Sequence, residues 1–159
     1  GVTSGTTATT FSPYRGCTRG QVVTFLWRAA GCPEPESSRN PFVDVPADSF
    51  CHDAVLWAAE EGITTGVTAD RFQPNATVTR GQVVTFLWRW EGSPTAQKTS
   101  GFRDVAASSF CAEAVSWAVA QGVTKGTTAT TFAPSQTCTR GQIVTFLYRD
   151  LFPAADYED

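Results

Sequence analysis

Thr79-Arg80-Gly81-Gln82-Val83-Val84-Thr85-Phe86-Leu87-Trp88-Arg89 decides the fold, because the chain contains it three times. The same run stands at Thr18 to Arg28. It stands again at Thr139 to Arg149, with Ile143 for Val and Tyr148 for Trp. Arg19, Arg80 and Arg140 are separated by 61 and 60 residues. Self-similarity at a fixed period is the mark of a repeat architecture. Within each run, Thr is followed three residues later by Gln and then by apolar residues. That spacing predicts a helix opened by a capping box, in which the Thr hydroxyl accepts from the N3 amide and Gln reaches back.

Working outward, each run is preceded by Phe-x-Pro (Phe72-Gln73-Pro74, Phe132-Ala133-Pro134, Phe11-Ser12-Pro13). Before that lies a Thr/Gly-rich segment: Gly62-Ile63-Thr64-Thr65-Gly66, Gly122-Val123-Thr124-Lys125-Gly126 and Gly1-Val2-Thr3-Ser4-Gly5. Two of the three units continue further forward. They carry Ala54-Val55-Leu56-Trp57-Ala58 and Ala114-Val115-Ser116-Trp117-Ala118, and ahead of those Phe42-Val43-Asp44-Val45 and Phe102-Arg103-Asp104-Val105. The Ala-Val-x-Trp-Ala stretches have apolar residues at helical spacing. Their predicted N-caps are Asp48 or Ser49 and Ser108 or Ser109, with Gly62 and Gly122 as stops. The Thr/Gly segments predict short strands or ordered loops. Trp57 and Trp117 read as core, and Asp44 and Asp104 as turn or capping residues.

The expected fold is mainly α, made of tandem helix-loop-helix units. Residues 1–31 form the rear half of a first unit, 42–92 a second and 102–150 a third. Linkers fill 32–41 and 93–101, and 151–159 is a C-terminal tail with an acidic end at Asp156 to Asp159. A lone unit cannot bury both its helices; neighbours can. The missing front half predicts a bare apolar face on the Val22–Trp27 helix and, through it, self-association. Gly1 falls inside a unit, which predicts an excised piece with any export signal upstream.

Composition narrows the function. Charged residues are 17% of the chain, and the net charge is −3. No basic stripe speaks for nucleic acid, and no apolar run is long enough for a membrane span. The five cysteines show no zinc spacing and His52 is the one histidine, so no metal or other cofactor is expected. A bridge inside a unit predicts Cys111–Cys138; one between neighbours predicts Cys17–Cys51. No nucleophile with a base, paired carboxylates or phosphate loop is present, so the chain is not expected to be an enzyme.

Taken together, Phe-x-Asp-Val, Ala-Val-x-Trp-Ala, Gly-Ile/Val-x-x-Gly, Phe-x-Pro and Thr-Arg-Gly-Gln resemble the S-layer homology family, from Gly1 to about Arg149. The resemblance implies a pseudo-threefold helical assembly. It implies an extracellular place on a bacterial wall, and a non-catalytic role in holding surface proteins to a peptidoglycan-linked polymer, often a pyruvylated one. Ligands are then expected in grooves between units. The family's Thr-Arg-Ala-Glu motif maps its ligand arginine onto Arg19, Arg80 and Arg140, with Thr18, Thr79, Thr139, Gln21, Gln82 and Gln142 beside them and Lys125 in one loop. Gln replaces Glu in all three copies, and Gly replaces Ala.

The residues support an anionic ligand independently. A helix N-terminus attracts anions, and a guanidinium fork fits a carboxylate or phosphate. On this reading Arg80→Ala or Arg140→Ala weakens wall binding and leaves the helical spectrum intact.

Overall fold

The computed structural model describes residues 1–153. It contains five helices: α1 (Arg19–Ala29), α2 (His52–Glu60), α3 (Arg80–Trp90), α4 (Ala112–Ala120) and α5 (Arg140–Leu151). α1, α3 and α5 are the thrice-repeated run. Each opens with the expected capping box: Thr18, Thr79 and Thr139 accept from the N3 amide, and Gln21, Gln82 and Gln142 return the bond. Gly62 and Gly122 end α2 and α4 in left-handed conformation, at φ 68 and 73°. The Thr/Gly segments form ordered loops with only isolated bridges, Thr68 to Arg71 and Thr128 to Thr131. The N-caps of α2 and α4 differ from expectation. They are Cys51 and Cys111, without a side-chain cap bond. Ser49 and Ser109 lie one turn earlier and give backbone carbonyls to His52 and Ala112.

Three residues just ahead of α1, α3 and α5 close the assembly on itself. The Cys17 amide donates to the Cys138 carbonyl (3.0 Å), Cys138 to Val78 (2.9 Å) and Val78 back to Cys17 (3.0 Å). All three side chains are fully buried. A closed ring of three backbone bonds, one from each run, defines a pseudo-threefold axis. Cys17, just ahead of α1, takes the third place in it.

Each long helix also depends on the next segment around the ring. The Arg19 and Gly20 amides donate to the carbonyls of Ala76 and Pro74; Arg80 and Gly81 donate to Gln136 and Pro134; Arg140 and Gly141 donate to Arg15 and Pro13. The first-turn amides, which have no partner inside a helix, are thus used by the neighbour's Phe-x-Pro turn. Two of the three turns are held in place by a carboxylate. Asp44 accepts from the amides of Phe72 and Gln73, both 2.9 Å; Asp104 accepts from Phe132 and Ala133, at 2.9 and 2.7 Å. Burial pushes both carboxyls up, but the backbone donors outweigh it and hold them below the usual carboxylate range.

The first helix of one unit packs on the long helix of the unit before it: α2 on α1, α4 on α3. The core therefore runs between units, with Trp57 and Trp117 buried in it as expected. This cyclic order corrects the reading of the bare face. Val22, Val23, Phe25 and Leu26 are buried. Among the described residues it is α5 that has no covering helix. Its Val144, Tyr148 and Leu151, with Phe152 and Val2, line an apolar groove of about 190 Å³. The covering helices α2 and α4 each follow the long helix they pack on, and among the described residues no helix follows α5.

Neither disulfide forms; all five cysteines are free thiols. Cys17 and Cys138 lie on the axis, whereas Cys51 and Cys111 pack against Gly20 and Gly81. The four sulfurs thus occupy two layers. Burial, opposed by nearby arginines, raises the thiols of Cys17 to about 11 and Cys138 to about 12. The two linkers are tied at their starts by indole N–H bonds, Trp27 to the Pro33 carbonyl (2.8 Å) and Trp88 to Pro94 (2.9 Å). Trp90 is half-buried. The acidic end at Asp156 to Asp159 lies outside the described residues.

Candidate functional site

Three equivalent grooves surround the axis, each floored by one of the repeated arginines. The groove of Arg19 is walled by Thr64, Gly66, Gln82, Phe86 and Arg89. Arg80 lies with Thr124, Gly126, Gln142, Phe146 and Arg149. Arg140 lies with Ser4, Gly5, Gln21, Phe25 and Arg28. In each case the floor comes from one unit and the walls from the next. The grooves therefore lie between units.

The arginines are 3–4% exposed. Their Nε atoms donate to backbone carbonyls of the neighbouring Phe-x-Pro turn: Arg19 to Phe72 (2.8 Å), Arg80 to Phe132 (2.9 Å) and Arg140 to Phe11 (2.9 Å). Each guanidinium also lies against two rings. Arg19 sits 4.7 Å from the Phe72 centroid and 5.3 Å from Phe86. Arg80 repeats this with Phe132 and Phe146, and Arg140 with Phe11 and Phe25. Such cation–π contacts orient the fork as well as stabilise it. Burial pushes the guanidinium pKa of Arg19 and Arg80 down, against nearby acidic groups that push it up.

This geometry changes the sequence reading in two ways. First, the helix amides are not available to a ligand, because neighbouring carbonyls and the capping Thr take them. The positive groups offered are side chains. Second, Gln does not orient the Arg of its own motif. Gln21 lines the groove of Arg140, Gln82 that of Arg19 and Gln142 that of Arg80. Within its own unit each Gln Oε1 accepts from the capping Thr amide, at 3.1–3.2 Å. Thr18, Thr79 and Thr139 serve that cap first, though Thr139 also borders the groove of Arg80. Lys125 is exposed on the loop between the lining residues Thr124 and Gly126.

The Gly that stands where the family has Ala also has a physical reason. A Cβ on Gly20 would come 2.9 Å from Cys51 Sγ, and one on Gly81 3.1 Å from Cys111 Sγ. The sulfur occupies the space an alanine methyl would fill.

Sequence reasoning missed two groups. Arg28, Arg89 and Arg149 add a second guanidinium to each groove, and two of them brace the adjacent loop: Arg89 Nη1 donates to the Ile63 carbonyl (3.3 Å) and Arg149 Nη1 to Val123 (3.4 Å). Phe50 and Phe110 stand 63 and 67% exposed at the lips of the grooves of Arg140 and Arg19. The signal for both was present, as an aromatic-Arg pair closing every run and a Phe before the Cys in two units.

The S-layer homology domain model matches residues 41–84 and 101–144, together more than half of the chain. The chain belongs to the S-layer homology family. Over 165 residues it is 31% identical to an endoglucanase of Bacillus sp. (strain KSM-635), across 99% of this chain and 17% of that protein. Over 87 residues it is 34% identical to the surface-layer 125 kDa protein of Lysinibacillus sphaericus, across 55% of this chain and 7% of that protein. The chain thus spans less than a fifth of the length of either relative. S-layer homology repeats are a non-catalytic module of cell-surface proteins, and their role is cell-wall anchoring. No helix among the described residues is long and apolar enough to cross a membrane.

Proposed function

We propose that this chain holds its protein to an anionic secondary polysaccharide of the bacterial wall, with an acidic group such as a pyruvate ketal seated on Arg19 and Arg80. One observation carries the reading. The terminal guanidinium nitrogens of these two arginines have no hydrogen-bond partner among the described residues, and the small exposed part of each otherwise buried arginine opens on a groove floor. A guanidinium held in place by its Nε, with its terminal donors open to the groove, is set to take a charge-assisted, forked bond from a carboxylate or phosphate. The walls suit a sugar: Thr and Gln side chains offer donors and acceptors, a second arginine stands at the rim, and an exposed aromatic flanks the opening. Several weak grooves engaging one repeating polymer give avidity. Residues 1–31, which lie outside the two family matches, act in this reading as the rear half of a third repeat.

The test is a pull-down of the purified chain with wall sacculi, before and after acid removal of the secondary polymer. Binding that disappears with the polymer is expected. Binding that survives acid treatment would place the contact on peptidoglycan, and no binding to either preparation would reject the anchoring role.

A further inference from the structure

Resting on that reading, we propose that the three grooves are unequal because one peptide is turned over: the Arg80 groove is the primary site, the Arg19 groove is secondary, and in the Arg140 groove, still about 290 Å³ in volume, the guanidinium is already taken by the chain's own Ser4 carbonyl. In the second and third units the groove loop is pinned from within. The Gly66 amide donates to Thr64 Oγ1 and the Gly126 amide to Thr124 Oγ1, both at 3.1 Å. Both glycines are left-handed, at φ 83 and 84°. Each is pressed by a ring of its own unit's front half: a Cβ there would lie 2.6 Å from Phe42 Cε1 or Phe102 Cε1. Because a trans peptide points its N–H and C=O in opposite directions, an amide turned to the Thr hydroxyl turns the Thr65 or Lys125 carbonyl away from it.

The loop at residues 3–5 reverses this. Gly5 is not left-handed, and Thr3 Oγ1 donates to the Ser4 carbonyl (3.1 Å) rather than accepting from Gly5. The same Ser4 carbonyl accepts from Arg140 Nη2 at 2.7 Å, with Thr3 Oγ1 at 3.4 Å from that nitrogen. No counterpart of Phe42 or Phe102 presses on Gly5 among the described residues. In this arrangement the Ser4 peptide supplies its own acceptor to the Arg140 guanidinium. A short charge-assisted bond of this kind is strong, and a ligand has to displace it.

Size separates the two remaining grooves. The Arg80 groove holds about 640 Å³ and the Arg19 groove about 260 Å³. Phe110 closes over the latter. At the Arg80 groove no Phe stands in that place; Tyr14 and Pro13 border it instead. The wider floor, with Lys125 on its loop, accommodates a sugar together with its neighbours along a chain.

The experiment measures sacculus binding by the intact chain and by Arg19→Lys, Arg80→Lys and Arg140→Lys, each checked for native circular dichroism. Lysine keeps the charge and removes the fork. Arg80→Lys is expected to weaken binding about tenfold, Arg19→Lys less, and Arg140→Lys less than twofold. Equal losses at Arg80 and Arg140 would overturn the inequality while leaving anchoring intact; no binding by the intact chain would remove both. A ligand-free measurement covers the case of a variant that misfolds. In nitrogen-detected arginine spectra, rotation about the Cζ–Nη2 bond should be slowed at Arg140 and not at Arg19 or Arg80. Three alike arginines would overturn the proposal.

Discussion

α3 and α5 carry almost the same sequence and live in different surroundings. Val83, Val84, Thr85, Phe86 and Leu87 of α3 are all buried, and α4 packs against this helix. In α5, Ile143, Phe146 and Leu147 are buried, Leu147 at the edge of the apolar groove, while Thr145 is exposed and Val144 half-buried. Both helices have the same capping box and the same arginine on a Phe carbonyl. Their difference teaches that the inward half of each long helix is fixed by the ring, and the outward half by whatever the next unit supplies.

The largest expected effect contrasts the two faces. Leu87→Ala should cost about 2–5 kcal/mol in denaturant unfolding, the usual range for a buried leucine. Leu151→Ala, on the uncovered face, should cost less than about 1 kcal/mol. Comparable losses would mean that the outward face of α5 is covered after all.

A smaller effect concerns the first-turn glycines. A Cβ on Gly81 meets Cys111 Sγ at 3.1 Å and Phe110 Cζ at 3.3 Å, besides the Pro134 carbonyl. On Gly141 it meets atoms of Pro13 alone. Gly81→Ala should therefore destabilise by about 1–3 kcal/mol through overpacking. Gly141→Ala should be near neutral, since the gain in helix propensity, about 1 kcal/mol, offsets a milder contact. Adding Cys111→Ala should rescue Gly81→Ala. Absence of rescue would remove the sulfur as the reason for glycine.

The smallest effect lies at the helix ends, where α3 has Trp90 and α5 has Asp150. Burial, with Glu91 nearby, raises the Asp150 carboxyl to about 7, and its Oδ2 has no hydrogen-bond partner among the described residues. A carboxyl whose folded pKa is raised favours the fold fully below its unfolded pKa and loses that contribution as pH rises through the folded value. Melting temperature should thus fall between about pH 4 and pH 7 through this group. Asp150→Asn should flatten that part of the profile. The carboxyl is partly exposed, so solvent screening keeps the change modest. An identical profile in the variant would show that Asp150 is ordinary.

Much of this was legible in residues 1–153. Thr-x-x-Gln before an apolar run fixed three helix starts, because a capping box is a local arrangement of four residues. Gly62 and Gly122 fixed two helix stops for the same reason. The N-caps of α2 and α4 were not legible: the turn at Ser49 uses a backbone carbonyl, for which any residue would serve. The arginines were found by period, but their partners were not. Phe72 lies 53 residues from Arg19, and Phe11 lies 129 residues from Arg140. Contacts at that distance leave no local trace.

By itself, then, the sequence determined the helices, the caps of the three long ones and the recurrence of Arg19, Arg80 and Arg140 at their first positions, since propensity and spacing act within a few residues. Tertiary structure alone decided which unit covers which helix, and that each Gln serves a different groove from its own Arg. It also decided that the same arginine is open in one groove and occupied in another. Those outcomes depend on a closed ring of three backbone bonds and on the orientation of a single peptide, and both are set by neighbours far away along the chain.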